Sequence, residues 1–191
     1  MGLDQRIGER FLRAGPAYGG SCFPKDTRAL VDTAKNFKTN LSIIRKVIQS
    51  NEERKLLLTK RVEKILKSKI KNKNITFLGV TFKPNTDDMR EASSLFMIPI
   101  LNKKGAKIRY FDPSGFKKEF ENYKNVKFCK DVSSACFKSD LIIIHTEWNE
   151  FKLLNFRKLV KKNNFIIYDL RNIYSSVKMK KDGIKYFSIG R

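Results

Sequence analysis

Long apolar runs are what this 191-residue chain most clearly lacks. The longest, such as Leu141–Ile144 and Phe165–Tyr168, are no more than one strand long. A membrane span needs roughly 18 apolar residues, so no membrane-spanning segment is expected. The opening Met-Gly-Leu-Asp-Gln-Arg holds no apolar signal-peptide core. Cysteine is also scarce. Cys22, Cys129 and Cys136 include no CxxC spacing and cannot all pair. That excludes a disulfide scaffold and fits a reducing, cytoplasmic setting. No zinc-finger spacing is present, and no metal site is expected. Neither G-x-G-x-x-G nor G-x-x-x-x-G-K-[ST] occurs, so the usual phosphate loops are missing as patterns.

Acidic residues are few: 19 Asp and Glu stand against 41 Lys and Arg, for a formal net charge of +22. A hydrophobic fraction of 41% excludes disorder in spite of that charge. Excess cations raise the question of nucleic acid. The lysine runs at 67–73, 161–162 and 178–181 are scattered along the sequence, however, and no nucleic-acid-binding signature accompanies them. The expectation is compositional bias, no nucleic-acid partner, and a charge suited to an anionic small molecule.

Hydrophobic spacing changes near residue 74. Before it, apolar positions recur at helical spacing, predicting helices over about 27–36 and 41–70. The Lys71–Asn74 stretch is the expected stop. After it, short apolar strands (75–80, 107–111, 126–128, 141–145, 165–169) alternate with helices (94–104, 132–137, 151–160), the pattern of a parallel sheet covered on both faces. The fold class is therefore α/β: a helical arm over residues 1–72, then a Rossmann-like parallel-sheet domain over 73–191. Such sheets bind ligands beyond their strands' carboxyl ends, which brings Lys83, His145 and Arg171 to one rim.

The segment Gly15–Asp26 carries the chemistry. Gly19 and Gly20 permit close backbone approach. Cys22 follows, then Pro24, Lys25 and Asp26 ahead of a helix. A thiol near a helix start beside a lysine is in a setting that favours the thiolate, the form that attacks carbonyl carbon. Asp26, four residues on, could relay a proton or orient water. A buried structural cysteine is the competing reading, and it is the one kept for Cys129 and Cys136.

GSCFPKDTRAL, preceded by DQRIGERFLRAGPAYG, resembles the active-site segment of nucleotide-sugar dehydrogenases of the UDP-glucose/GDP-mannose dehydrogenase family, the UDP-glucose-oxidising members above all. FLGVTFKPNTDDMREASS at Phe77–Ser94 is similar to the start of that family's UDP-binding domain. YFDP, HTEWNEF and DLRNIY follow in the family's order. The resemblance implies oxidation of UDP-glucose to UDP-glucuronate with NAD, through a cysteine thiohemiacetal and thioester. It casts Cys22 as nucleophile and Asp26 as its proton-transfer partner. It assigns Arg6, Phe11, Leu12, Arg13, Ala14, Gly15, Gly19, Lys83 and Arg171 to substrate and Lys25 and Arg90 to NAD, Arg6 acting across a homodimer built on the long helix. Family members run to about twice this length and begin with a dinucleotide-binding domain that these residues do not contain. The chain is thus expected to be a truncated or split portion, inactive alone and complemented by a separate chain. A non-catalytic UDP-sugar-binding fragment and a GDP-mannose-type dehydrogenase are the alternatives.

Overall fold

The computed structural model describes residues 1–9 and 12–190. Helix α1 spans Cys22–Asn36 and α2 spans Ser42–Ile65. They precede a six-stranded sheet, with β1 at Asn74–Leu78, β2 at Lys107–Phe111, β3 at Val126–Phe128, β4 at Leu141–Ile144, β5 at Ile166–Asp169 and β6 at Lys185–Ser188. Helices α3 (Ser94–Lys103), α4 (Val132–Cys136), α5 (Phe156–Val160) and α6 (Ser176–Lys181) fill four of the five crossovers, and a 3-10 turn at Lys118–Phe120 lies in the β2–β3 connection. Every strand pair is parallel and the order is β3-β2-β1-β4-β5-β6, the doubly wound arrangement expected from alternating strands and helices.

The strands are apolar throughout because both faces are covered. Leu58, Val62, Met97 and Leu101 from α2 and α3 pack with Ile75, Phe77, Ile108 and Ile143 on one face. Phe156, Val160 and Met179 pack with Leu78, Ile142, Ile144 and Ile167 on the other. The second half of α2 therefore roofs the sheet. Its first half leaves Ile43, 76% accessible, in solvent.

Several boundaries differ from the sequence reading. The strand expected over 75–80 ends at Leu78, before Gly79, which takes a φ of +74°. Helix α1 begins at Cys22, five residues before the expected start, because Pro24 falls in the first turn, where a backbone N–H has no intrahelical partner to lose. Helix α2 ends at Ile65: Lys67 and Ser68 adopt positive φ, and Ser68 N–H donates to the Glu63 carbonyl. The buried side chains of Leu66 and Ile70 turn the chain inward there, before the Lys-Asn run is reached. The expected helix over 151–160 is a 3-10 turn at Asn149–Phe151 followed by α5, whose start is capped by the Asn155 side chain accepting from Lys158 N–H.

One buried charge ties the helices to the sheet. The Lys55 side chain on α2 has no solvent access, and its Nζ lies 3.0 Å from Glu52 and 2.8 Å from Glu91. It also sits over the Phe96 ring at 4.3 Å. Arg28 of α1 completes the cluster, 3.0 Å from Glu91 and 3.4 Å from Glu52. Arg28 is 45% exposed, so the two cations should differ in weight. Lys55→Ala is expected to lower stability by about 2–3 kcal/mol, since it empties a fully buried position and removes its packing and both ion pairs. Arg28→Ala is expected to cost less than about 1 kcal/mol, because water screens that pair. Urea unfolding of the two variants measures the difference.

Candidate active site

Cys22 is the first residue of α1 and is exposed, its sulfur 3.6 Å from Ser21 Oγ. The chain reaches it through Gly19 and Gly20, which lie against the loop that follows β1. Gly20 N–H donates to the Arg90 carbonyl at 2.7 Å. A Cβ on Gly19 would stand 2.7 Å from the Glu91 carbonyl oxygen, and one on Gly20, whose φ is +84°, would stand 2.7 Å from the Phe82 ring. These two positions thus require glycine for a close backbone approach. Farther back, Arg54 donates to the Gly15 and Pro16 carbonyls, and the Asn51 amide makes two hydrogen bonds to the Tyr18 backbone. The glycine segment is clamped between α2 and the sheet rim.

Charged groups surround the thiol. Lys25 Nζ lies 3.1 Å from Asp26, both largely exposed, and Arg90 pairs with Asp88 at 2.8 Å. The Lys25 ammonium is held above its ordinary range mainly by its hydrogen bond to Asp26, with a smaller contribution from the Cys22 charge. Arg90 is raised chiefly by Asp88 and also feels Cys22. The two cations belong to different elements, Lys25 to α1 and Arg90 to the loop after β1. Asp26 stands four residues from Cys22 on the same helix, one turn along.

Residues 76–176 match the UDP-binding domain of the UDP-glucose/GDP-mannose dehydrogenase family, and residues 1–53 match its central domain. The chain belongs to this family. It is 41% identical over 193 residues to the UDP-glucose 6-dehydrogenase of Rickettsia felis, covering all of this chain and 43% of that one. The corresponding Rhizobium meliloti enzyme is 40% identical, with 44% of its length covered. The chain thus spans less than half the length of these curated relatives. A solved UDP-glucose dehydrogenase from Pyrobaculum islandicum superposes with a TM-score of 0.80 at 28% identity, over 97% of this chain and 41% of that one. An NDP-N-acetyl-D-galactosaminuronic acid dehydrogenase from Methanosarcina mazei, with a TM-score of 0.78 at 23% identity and coverage of 93% and 39%, shares the fold.

The family's expected residues fall into three groups. Gly15, Gly19, Cys22, Asp26, Lys25 and Arg90 line or flank the clamped segment, and Leu12, Arg13 and Ala14 lead into it, exposed. Lys83 is exposed on the rim loop with its ammonium 5.3 Å from the Phe82 ring centre. Arg171 is at the site yet largely committed: it donates to the Phe82 and His145 carbonyls and pairs with Glu147 at 2.9 Å, while Nη1 would meet a Cβ on Gly15 at 2.9 Å. Arg6 is exposed and bound to Asp4 in the amino-terminal segment, and nothing among the described residues ties it to Cys22. Phe11 lies outside the described residues.

His145 is a correction. The strand end was expected to present it on the rim, but it is fully buried, hydrogen-bonded to Ser93 Oγ at 2.8 Å and Thr146 Oγ1 at 3.0 Å. The strand's last turn points inward because Thr146 bonds back to the Thr81 carbonyl. Sequence reading also missed Lys55, Glu91, Asn51 and Arg54. The signal was present: Asn51 and Lys55 interrupt an otherwise apolar 51-55-58-62-65 stripe, where a polar side chain must find a buried partner.

Burial, with a smaller push from Arg171, drives the His145 imidazole down to about pKa 3. The unfolded chain takes up this proton near pH 6.5 and the folded chain does not, so stability falls as pH drops below 6.5. His145 is the one histidine in the sequence. From pH 6.5 to 5 it should contribute a loss of about 1.6 kcal/mol in all, the slope steepening toward about 1.4 kcal/mol per pH unit. Urea unfolding across that range should show the slope in the parent chain and a clearly flatter one in His145→Gln.

Proposed function

We propose that this chain carries the nucleophile and the UDP-sugar-binding half of an NAD-dependent UDP-glucose 6-dehydrogenase. The observation that carries the reading is the seating of Cys22: exposed at a helix start, flanked by Lys25, Asp26 and Arg90, and fixed to the post-β1 loop through Gly19 and Gly20. Cys22 Sγ adds to the C6 aldehyde carbon of the oxidised sugar, and the carbonyl oxygen takes up a proton. At the later thioester, water attacks, the Cys22 thiolate leaves, and Asp26 is placed to accept water's proton. Lys83 and the Gly15–Gly19 backbone face the nucleotide sugar.

For NAD the fit is partial. Lys25 and Arg90 are exposed cations and suit a pyrophosphate. The turn after β1, where a dinucleotide fold would place its phosphates, is already satisfied from within. Asp112 accepts from the Val80 N–H at 2.7 Å and from the Thr81 N–H at 3.4 Å, and Gly79 abuts Thr146. NAD, when bound, supplies the acceptor for the hydride lost in each oxidation. The described residues offer it phosphate contacts and no adenosine-binding loop.

The outer face of α2, with Ile43, Val47 and Leu57 exposed beside a groove of about 530 Å³ lined in part by Tyr18 and Arg54, suits a second copy of the chain. Light scattering is expected to give twice the 22.3 kDa chain mass, and a monodisperse monomer would overturn this assignment.

Titration calorimetry tests the function. UDP-glucose should release heat on mixing with the 191-residue chain and GDP-mannose should not. Lys83→Ala should weaken binding by about tenfold, the loss of one charge-assisted contact, with no change in melting temperature. Alkylation by iodoacetamide should label Cys22 and spare buried Cys129 and Cys136. These residues alone should not reduce NAD in the presence of UDP-glucose. Turnover would show that the hydride acceptor's site is complete within them.

A further inference from the structure

In a parallel sheet all strand starts share one edge, so loops far apart in sequence meet there. At the amino edge of this sheet the loops are residues 66–73, 103–107, 121–125, 137–140, 161–165 and 180–185. Backbone hydrogen bonds join them side by side: Asn72 N–H to the Gly105 carbonyl, Lys107 N–H to Lys73, Lys138 N–H to Val160, Ile166 N–H to Asp140. These six loops hold fourteen lysines against three acidic residues. At the carboxyl edge, the loops 79–93, 112–117, 129–131, 145–155 and 170–175 hold six lysines and arginines against seven acidic residues.

The contrast separates two explanations of the charge. Compositional bias would load both edges alike. The neutral edge is the one carrying the candidate active site, and the basic edge faces away from it. Helix ends account for part of the excess, since last-turn cations such as Lys103 and Lys181 offset helix dipoles. Most of the fourteen lie beyond the helices. Among the described residues, Lys73 and Lys162 pair with Asp140 and Lys104 pairs with Glu63, while Lys69, Lys71 and Lys161 are exposed.

We infer that this amino edge binds the phosphate backbone of nucleic acid without reading sequence. Six strands give an edge about 24 Å long, with lysine in every loop. Lysines on short loops suit point contacts to successive phosphates rather than bidentate base recognition. A membrane-docking face would add apolar anchors to its cations. Here Ile70 at 4%, Phe165 at 5% and Ile184 at 7% exposure are turned in, and Phe137, at 42%, is the one large apolar side chain of these loops that is exposed among the described residues.

The test is fluorescence anisotropy of the 191-residue chain with a labelled random-sequence duplex of about 20 base pairs, between about 50 and 200 mM salt. The expected result is micromolar binding at the low end and a steep decline in affinity with salt. Lys69→Glu/Lys71→Glu/Lys161→Glu should weaken binding at least about tenfold and flatten the log–log salt slope by about three. The equally charged control Lys35→Glu/Lys130→Glu/Lys152→Glu should change it little, and circular dichroism melts confirm that both variants fold. Equal losses in the two triples would reduce the effect to net charge and overturn the assignment of this edge. Absence of duplex binding at low salt would overturn it outright, as would capture by phosphatidylserine vesicles in its place.

Discussion

An ammonium with no access to water must be satisfied by the protein, and at Lys55 that requirement organises the molecule. Its partners come from separate parts of the chain: Glu52 one turn back on α2, Glu91 on the loop after β1, and the face of Phe96 on α3. Once Glu91 is held there, its backbone carbonyl sits against Gly19 and its neighbour Arg90 accepts from Gly20. The Glu91 carboxyl is kept below its usual range first by Arg28 and then by Lys55, so it remains an anion within the cluster. The start of α1, and with it Cys22, is thereby positioned by a charge on a different helix. A hydrophobic residue at 55 could fill the same space, but it would give the post-β1 loop no directional reason to meet the glycine segment.

The same principle closes the interior of the sheet's crevice. Doubly wound sheets offer ligands a gap where strand order reverses, here between β1 and β4. In this chain Asp112 occupies the amides a phosphate would use, Thr146 fills the space beside Gly79, and His145 is withdrawn into the core as a neutral donor and acceptor. Arg171 extends across the rim from Glu147 to the Phe82 carbonyl. Among the groups left exposed along the rim and the glycine segment are Lys83, Arg90 and Lys25, outside the crevice. The UDP-binding domain keeps the layout of a dinucleotide fold while its own side chains take the place of the dinucleotide.

Strand content was readable because buried parallel strands are continuously apolar, and Lys107–Phe111 and Val126–Phe128 fall where the pattern places them. The glycine–cysteine segment was readable because each of its residue types has a backbone or chemical reason. Short elements were not: α6 and β6 are six and four residues long, too brief for periodicity to register. Helix ends set by tertiary burial, as at Leu66 and Ile70, leave no local mark. The fate of His145 and Arg171 depends on which way a side chain turns at a strand end, and spacing along one chain does not contain that. The lysine runs were visible as runs, but their gathering on one edge is a property of strand order alone.

That gathering changes what the net charge does. Three cations of the candidate site have carboxylate partners, Lys25 with Asp26, Arg90 with Asp88, and Arg171 with Glu147, while Lys83 forms no ion pair among the described residues. Such a site is close to neutral before a ligand arrives, and an incoming phosphate competes with internal carboxylates for the same donors. Selection of the nucleotide sugar proposed above would then come from placed donors and shape rather than from long-range attraction, which the basic far edge would supply to any polyanion. Separating the two edges leaves the carboxyl end of the strands nearly balanced in charge and places the bulk of the basic charge at the other end.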